Sequence, residues 1–238
     1  MSHLSEVERL GLNGLPADCR LVRSRRKTLA IHVSHNQIEI RAPLFIGRGE
    51  IARFVEKNRG WVIRTYQEKT RLHGERLVLQ DGALIFYKAR PTRLALAEAS
   101  RSAVSVDDRT LRIQGPGATT GRAGPILQQW LMAQARAWLP PRSRALAEHL
   151  QVGDRLHDVV LRKTRSKWGH CTVGGRIQYN WLIMLAPDAV IDYMISHEVC
   201  HLVHMNHSPA YWEVVASVCP DYRQYAGWLR KHEHRLWF

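Results

Sequence analysis

The sequence predicts an α+β fold, with a strand-rich first half and a mostly helical second half. Before position 115, short segments alternate apolar and polar residues, and this period of two is typical of strands. After position 124, apolar residues recur every three to four positions, which is typical of helices. The stretch 115–124 between them is rich in Gly, Thr and Pro, so it is predicted to be a linker.

The first half begins with a lead over 1–20 that shows little periodicity and is expected to be only partly ordered. One long helix is predicted over 49–71, because Ile51, Val55 and Val62 fall on one apolar stripe. The predicted strands of this half are 19–23, 28–34, 37–42, 77–79, 83–88, 92–97, 103–106 and 110–113. We therefore expect a strand-rich lobe over 21–115 that contains one long helix.

The second half, 125–238, is predicted to form a lobe of its own. Its first helix spans 125–139, and Pro140-Pro141 is expected to separate it from a second helix that reaches position 150. Strands follow at 159–167 and 176–185, with Gly174-Gly175 in the connection. A helix from Pro187 to about Asn206 comes next, and the remaining predicted helices are 209–218, started by Ser208, and 221–235.

The composition is that of a soluble globular protein, with 45% hydrophobic and 24% charged residues among 238. No apolar run approaches the length of a membrane span, and the first residues do not resemble a signal peptide. The four cysteines form no CxxC pair, which favours free thiols in a reducing compartment. We expect a cytoplasmic protein without a membrane partner; its oligomeric state stays open.

The chain is strongly basic, with a formal charge of +14 and a pI of about 10.2. Such an excess favours polyanionic partners such as nucleic acid or nucleotides, although it also serves simple solubility. The densest basic clusters are 23–27 and 162–167. If the predicted strand 159–167 runs to its end, Lys163, Arg165 and Lys167 lie on one face of it. That face would then bind an anionic substrate or partner, or would simply be solvated.

The segment His197-Glu198-Val199-Cys200-His201, with His207 six residues later, is the most informative part of the sequence. Histidines at i and i+4 lie on the same face of a helix and can bind one Zn²⁺, and the glutamate after the first can activate a water. A third ligand, His207, leaves the fourth position open, which is typical of a catalytic zinc site. The sequence predicts one Zn²⁺ per chain, with Glu198 as the catalytic base.

With 13 histidines in the chain, two of them can fall at this spacing by chance. The apolar run over 190–195, however, predicts a buried helix, in which unpaired polar side chains are costly and metal coordination would satisfy them. His204 is expected to lie to one side of the metal, because the helix face that carries His197 and His201 turns away from it.

The run from Arg165-Ser166-Lys167-Trp168-Gly169-His170-Cys171 through the histidine motif to Pro220-Asp221-Tyr222 resembles the YgjP-like metallopeptidases, a family of zinc-dependent hydrolases. Elements of the first half extend the resemblance over about 20–232, and the SprT-like proteases look more distantly similar. The resemblance implies a minimal, gluzincin-like zincin core, in which a small antiparallel sheet packs on the helix that bears HExxH. It also implies His197, His201 and His207 as metal ligands and Glu198 as base.

One position departs from the family pattern, because His170 stands where the family commonly has Ser. With Arg165, Lys167 and Trp168, it is a candidate substrate-binding residue. The favoured function is a zinc metallopeptidase, whose extended substrate would pair with the edge of the 176–185 strand. The alternatives are a nucleotide hydrolase, in which Arg165 and Lys167 neutralise phosphates, and a zinc-stabilised nucleic-acid-binding module. The metal and its base do not by themselves distinguish a peptide from a phosphoanhydride.

Overall fold

The computed structural model describes residues 14–164 and 167–238 and confirms the α+β class. Its contacts divide the chain into two units, one ending at Glu75 and the other beginning at Arg76. The predicted lead over 1–20 lies largely outside the described residues, as do Arg165 and Ser166. No helix in the described part of the chain is long and apolar enough to cross a membrane.

The first unit consists of a three-stranded sheet and two helices. Strands β1 (Cys19–Ser24), β2 (Ala30–Val33) and β3 (Ile38–Pro43) lie in the order β1-β3-β2, with β1 parallel and β2 antiparallel to β3. Ile38 and Ile40 of β3 are fully buried, because alternate residues of this strand face the helices.

The helix predicted over 49–71 is in fact two helices, α1 (Arg48–Lys57) and α2 (Arg59–Gly74). Asn58 separates them, since its ψ of 3° is not helical. Its side-chain Nδ2 donates to the carbonyl of Phe54 at 2.7 Å, which satisfies a carbonyl at the end of α1. The apolar stripe predicted the buried face correctly and did not reveal this break.

The second unit opens with a four-stranded sheet of β4 (Leu84–Tyr87), β5 (Arg90–Ala97), β6 (Ala103–Asp107) and β7 (Thr110–Gln114), in the order β4-β5-β7-β6. The predicted strand at 77–79 is absent from this described region. Residues 115–124 do not form an open linker, because Ala118 and Ala123 there are buried in the main core. The four-stranded sheet and the following helix share that core. The predicted lobe boundaries at 115 and 125 stay a prediction.

Helix α3 (Ala123–His149) is continuous, contrary to the predicted interruption at Pro140-Pro141. Leu139, Ser143 and Ala147 are fully buried on both sides of the prolines. Ser143 Oγ donates to the carbonyl of Leu139 at 2.8 Å and also hydrogen-bonds the Tyr179 hydroxyl at 2.9 Å. Tertiary packing thus outweighs the unfavourable helix propensity of proline.

A small sheet of β8 (Asp158–Arg162), β9 (Gly169–Cys171) and β10 (Arg176–Asn180) supports the histidine helix. The order is β8-β10-β9, and the sheet is mixed rather than antiparallel, because β8 runs parallel to β10. Both predicted strands are therefore shorter than expected: 163–164 and 167–168 are not in a strand, and 181–185 form a buried 3₁₀ turn. Gly174-Gly175 lies in the connection between the two predicted strands, as expected, but that connection also contains β9, and the glycines turn the chain from β9 into β10.

Helix α4 (Asp188–Cys200) carries the histidine motif and is buried over most of its surface, as predicted. It ends at Cys200 and not at Asn206, which has no left-handed backbone conformation. His201 still has helical φ and ψ, so the i, i+4 relation of the two histidines is kept. Helices α5 (Pro209–Val218) and α6 (Tyr222–His232) follow, and Ser208 caps α5 as predicted by accepting from the Tyr211 N–H.

Candidate metal centre and active site

Three histidines converge at the end of α4. The rings of His197 and His201 lie 5.1 Å apart, and the loop after the helix brings the ring of His207 to 5.1 Å and 4.8 Å from them. One possible ligand atom from each lies within 4.8 Å of the others. His204 does not belong to this group, as predicted from the helix face. The described residues therefore contain a group of three nitrogens that can hold one metal ion.

The donor set fits a dication such as Zn²⁺. The Nε2 atoms of His197 and His207 are 3.3 Å apart. Two nitrogens bound at about 2.0–2.1 Å to a tetrahedral zinc are separated by roughly the same distance. Burial and the neighbouring imidazoles lower the pKa of His197 to about 4, and burial also lowers the pKa of His201. Both rings are thus neutral near pH 7, which is the form that binds metal.

Backbone and aromatic contacts fix the orientation of these rings. Nδ1 of His201 hydrogen-bonds the carbonyl of His204 at 3.1 Å, which leaves Nε2 free for a metal. The Tyr211 hydroxyl donates to the carbonyl of His197 at 2.9 Å, and the Tyr211 ring stacks on His201 at 4.6 Å. The ring of Trp212 stacks on His207 at 5.5 Å. The sequence analysis missed both aromatic residues, although they follow His207 in the family-like run.

Glu198 is buried beside β9, with only 3% of its surface exposed. Burial raises the pKa of its carboxyl to about 8, while a backbone hydrogen bond from Cys171 and the charge of Lys167 act in the opposite direction. A dication held by the histidines would also favour the carboxylate. The pKa of Glu198 therefore lies near neutrality, which suits a group that exchanges protons.

Gly169 makes room for that carboxylate. A Cβ atom at this position would lie 2.2 Å from Oε1 and 2.5 Å from Cδ of Glu198, closer than real Cβ contacts allow. The backbone of β9 can therefore approach Glu198 only where there is no side chain. Sequence reasoning quoted Gly169 within the family-like run and gave it no role, because the contact joins elements about thirty positions apart.

The four predicted substrate-binding residues differ in placement, and their role stays a prediction. Trp168 is 8% exposed; its Nε1 donates to Glu233 Oε2 at 2.8 Å, and its ring packs on Trp237. Lys167 and His170 are exposed, and the charge of His170 is among the influences that lower the pKa of His201. Arg165 lies outside the described residues, and the predicted alternation of cations fails because β8 ends at Arg162.

The predicted edge strand is not an edge. Residues 176–180 form β10, the central strand, which is paired on one side with β8 and on the other with β9. The free edge beside α4 belongs to β9. Its pairing register, from Gly169 opposite Tyr179 to Cys171 opposite Ile177, places the segment next to Glu198 at the outside of the sheet.

A cleft of about 460 Å³ adjoins the histidines. Sequence reasoning assigned no role to its α6 side, which includes Leu229 and Arg230. The residues that line the cleft are Tyr193, His197, His207, Trp212, Ala226, Leu229, Arg230 and Glu233. Candidate ligands and an open space for substrate thus lie side by side.

A buried helix that carries two histidines and a glutamate, with a third histidine from the next loop and a small sheet at its side, is the arrangement of a metal-dependent hydrolase. The model of the YgjP-like metallopeptidase domain matches residues 27–232 of this chain. The chain therefore belongs to the YgjP-like metallopeptidase family. No curated protein sequence matches it.

Proposed function

We propose that this protein is a zinc-dependent peptidase. The observation that carries the proposal is the convergence of His197, His201 and His207 beside the buried Glu198, in a chain of a metallopeptidase family. The three imidazoles would hold one Zn²⁺. When bound, the ion supplies Lewis acidity, which polarises the scissile carbonyl and lowers the pKa of water.

Glu198 acts as the general base in this proposal. Its carboxylate accepts a proton from the attacking water and returns it to the amine that leaves when the peptide bond breaks. The backbone N–H of Cys171 donates a hydrogen bond to the carboxylate, and the lack of a side chain at Gly169 leaves the space that the carboxylate occupies. Burial raises the pKa of this carboxyl and a bound dication would lower it, so the group can both accept and return a proton near neutral pH.

The free edge of β9 provides the means to bind an extended peptide. The Cys171 N–H of this edge binds Glu198, and a peptide backbone can pair with the N–H and C=O groups that remain, as in β-strand addition. Gly169 lies on this strand against Glu198, so a paired peptide passes next to the proposed base. A nucleotide has no backbone of this kind, and the peptide is therefore the favoured substrate class.

The test is hydrolysis by the zinc-loaded protein of a casein-like polypeptide and, in parallel, of a nucleoside triphosphate panel. We expect peptide cleavage that Glu198→Gln lowers by about 10²–10⁴-fold, the usual contribution of a general base, with zinc content unchanged. Glu213→Gln, an exposed glutamate on α5, is the matched control and should leave cleavage unchanged. Release of phosphate without peptide cleavage, or normal turnover by Glu198→Gln, would contradict the proposal.

A further inference from the structure

The cleft beside the histidines is lined by aromatic and aliphatic side chains, and Arg230 is the one lysine or arginine among its described lining residues. Tyr193 and Trp212 contribute rings, Leu229 contributes an aliphatic side chain, and His197 and His207 of the candidate metal centre also line it. The cleft thus has space for a substrate segment next to the candidate metal centre, where the residues that flank a scissile bond would lie. The charged residues of the cleft therefore influence which peptide segments bind there.

Arg230 lies in the last turn of α6 and is exposed. Within the described part of the chain it makes no ion pair. Glu233, one turn further on, lines the same cleft, but its Oε2 accepts the hydrogen bond from Trp168 Nε1. The charge of Arg230 is felt at Tyr193, where it opposes the rise in pKa caused by burial. The guanidinium is therefore available to a ligand in the cleft.

A second cation lies at the same end of β9. Lys167 is exposed and comes just before Trp168, whose indole contacts Glu233 of the cleft. The charge of Lys167 also acts on Glu198, where it lowers the pKa of the carboxyl. Beyond the other end of β9, Thr172 and Val173 line a separate cleft of about 380 Å³, which contains Asp154 as well as Arg155. Lys167 and Arg230 thus lie near the Gly169 end of β9, where the carboxylates of Glu233 and Glu198 already accept hydrogen bonds from Trp168 and Cys171.

We propose that Arg230 binds a carboxylate of the substrate peptide in the cleft beside the histidines. The preferred substrates would then carry a negative charge in the part of the peptide that extends beyond the Gly169 end of β9. The carboxylate is either an Asp or Glu side chain or the C-terminus of the peptide. A guanidinium suits this role because its planar fork donates two parallel hydrogen bonds to a carboxylate. The inference rests on the proposed peptidase function and adds the chemistry of its substrates.

The experiment measures binding and cleavage of one peptide in four forms. Three carry Glu, Gln or Lys at both positions that flank the cleavage site, and the fourth is the Glu peptide with an amidated C-terminus. Binding is read by fluorescence anisotropy on the zinc-loaded Glu198→Gln variant, and cleavage on the wild-type protein. We expect Arg230→Glu to weaken binding of the carboxylate peptide by roughly fivefold to thirtyfold. Lys231→Glu is the matched control, because it makes the same charge change on an exposed neighbour that does not line the cleft.

Loss of affinity in the Gln peptide identifies a side-chain carboxylate, whereas loss in the amidated peptide identifies the C-terminus. Equal effects of Arg230→Glu and Lys231→Glu would overturn the inference, because they would show only a long-range charge effect. Equal cleavage of all four peptides would also overturn the carboxylate inference and would leave the peptidase proposal intact. Arg230-dependent binding without cleavage would instead support the carboxylate site and remove the peptidase proposal.

Discussion

At the scale of single residues, the position of Glu198 depends on what Gly169 lacks. The carboxylate fills the space that any larger residue at 169 would need, and only 3% of Glu198 is exposed. The proposed base therefore has little freedom to move away from an added methyl group. The contact is steric, so it can be tested both in folding and in catalysis.

Gly169→Ala is expected to destabilise the metal-free protein by about 1–3 kcal/mol, the usual cost of overpacking a tight site. It should also lower peptide hydrolysis by roughly 10–100-fold, since small displacements of a catalytic group have effects of this size. Denaturant unfolding and steady-state kinetics measure the two effects separately. Gly174→Ala, in the turn after β9 with no atom near its added Cβ, is the control for strain and should change neither.

Glu198→Asp provides the second half of this test, because its carboxylate is one methylene shorter. In the Gly169→Ala background, Glu198→Asp should cost less stability and less activity than it does alone. The coupling free energy between the two sites should be about 0.5–3 kcal/mol, as for residues in contact. Additive effects of the two substitutions would show that Gly169 does not position Glu198.

At the scale of elements, α3 and β10 are joined by a buried hydrogen bond between Ser143 and Tyr179. Removing the hydroxyl of Ser143 and removing that of Tyr179 leave different hydrogen bonds behind. Without the Tyr179 hydroxyl, Ser143 still donates to the carbonyl of Leu139. Without the Ser143 hydroxyl, the buried Tyr179 hydroxyl loses the partner that the structure gives it.

Ser143→Ala should therefore be more destabilising than Tyr179→Phe. We expect about 1–3 kcal/mol for the serine substitution, which leaves a buried polar group unsatisfied, and about 0.5–1.5 kcal/mol for the tyrosine substitution. Urea unfolding of the two variants with equal m-values gives the comparison. A larger loss in Tyr179→Phe would mean that the ring packing, and not the hydrogen bond, determines the effect.

The elements also show how far the sequence could be interpreted. Period-two patterns located most of the strands but missed β9 and placed one at 77–79 that does not form. The buried character of α4 followed from its apolar run. The patterns could not show that α3 continues through Pro140-Pro141, because core contacts decide it. Nor could they show that β10 is a central strand, since pairing of β8 with β10 joins segments that are distant in sequence.

At the scale of the whole molecule, the candidate site was more predictable than the fold around it. The spacing of His197, His201 and His207 in one short segment limits where they can lie, and the structure brings the three together. Tyr211 and Trp212 lie in the same segment, but their contacts with the rings needed coordinates. Arg230 and Glu233 line the cleft from a later helix, and no local pattern marks them.

The net charge of +14 remains without an assigned partner at this scale. The peptide-carboxylate proposal uses Lys167 and Arg230 and leaves the other cations unexplained. Nucleic-acid contact and a cytoplasmic location stay predictions. Neither changes what is expected of the candidate metal centre, because the free energy of metal binding by three converging histidines is set locally.

If His197, His201 and His207 hold one zinc ion, the zinc content of purified variants, measured by mass spectrometry, depends on all three. His207→Ala should lose most of the metal, since two histidines leave too few protein ligands. His204→Ala is the matched control, because the His204 ring is outside the group of three and the substitution keeps the backbone carbonyl that binds His201. We expect about one zinc per chain in the wild-type protein and in His204→Ala, and little zinc in His207→Ala. Full zinc in His207→Ala, or loss of zinc in His204→Ala, would show that the three histidines are not the ligand set.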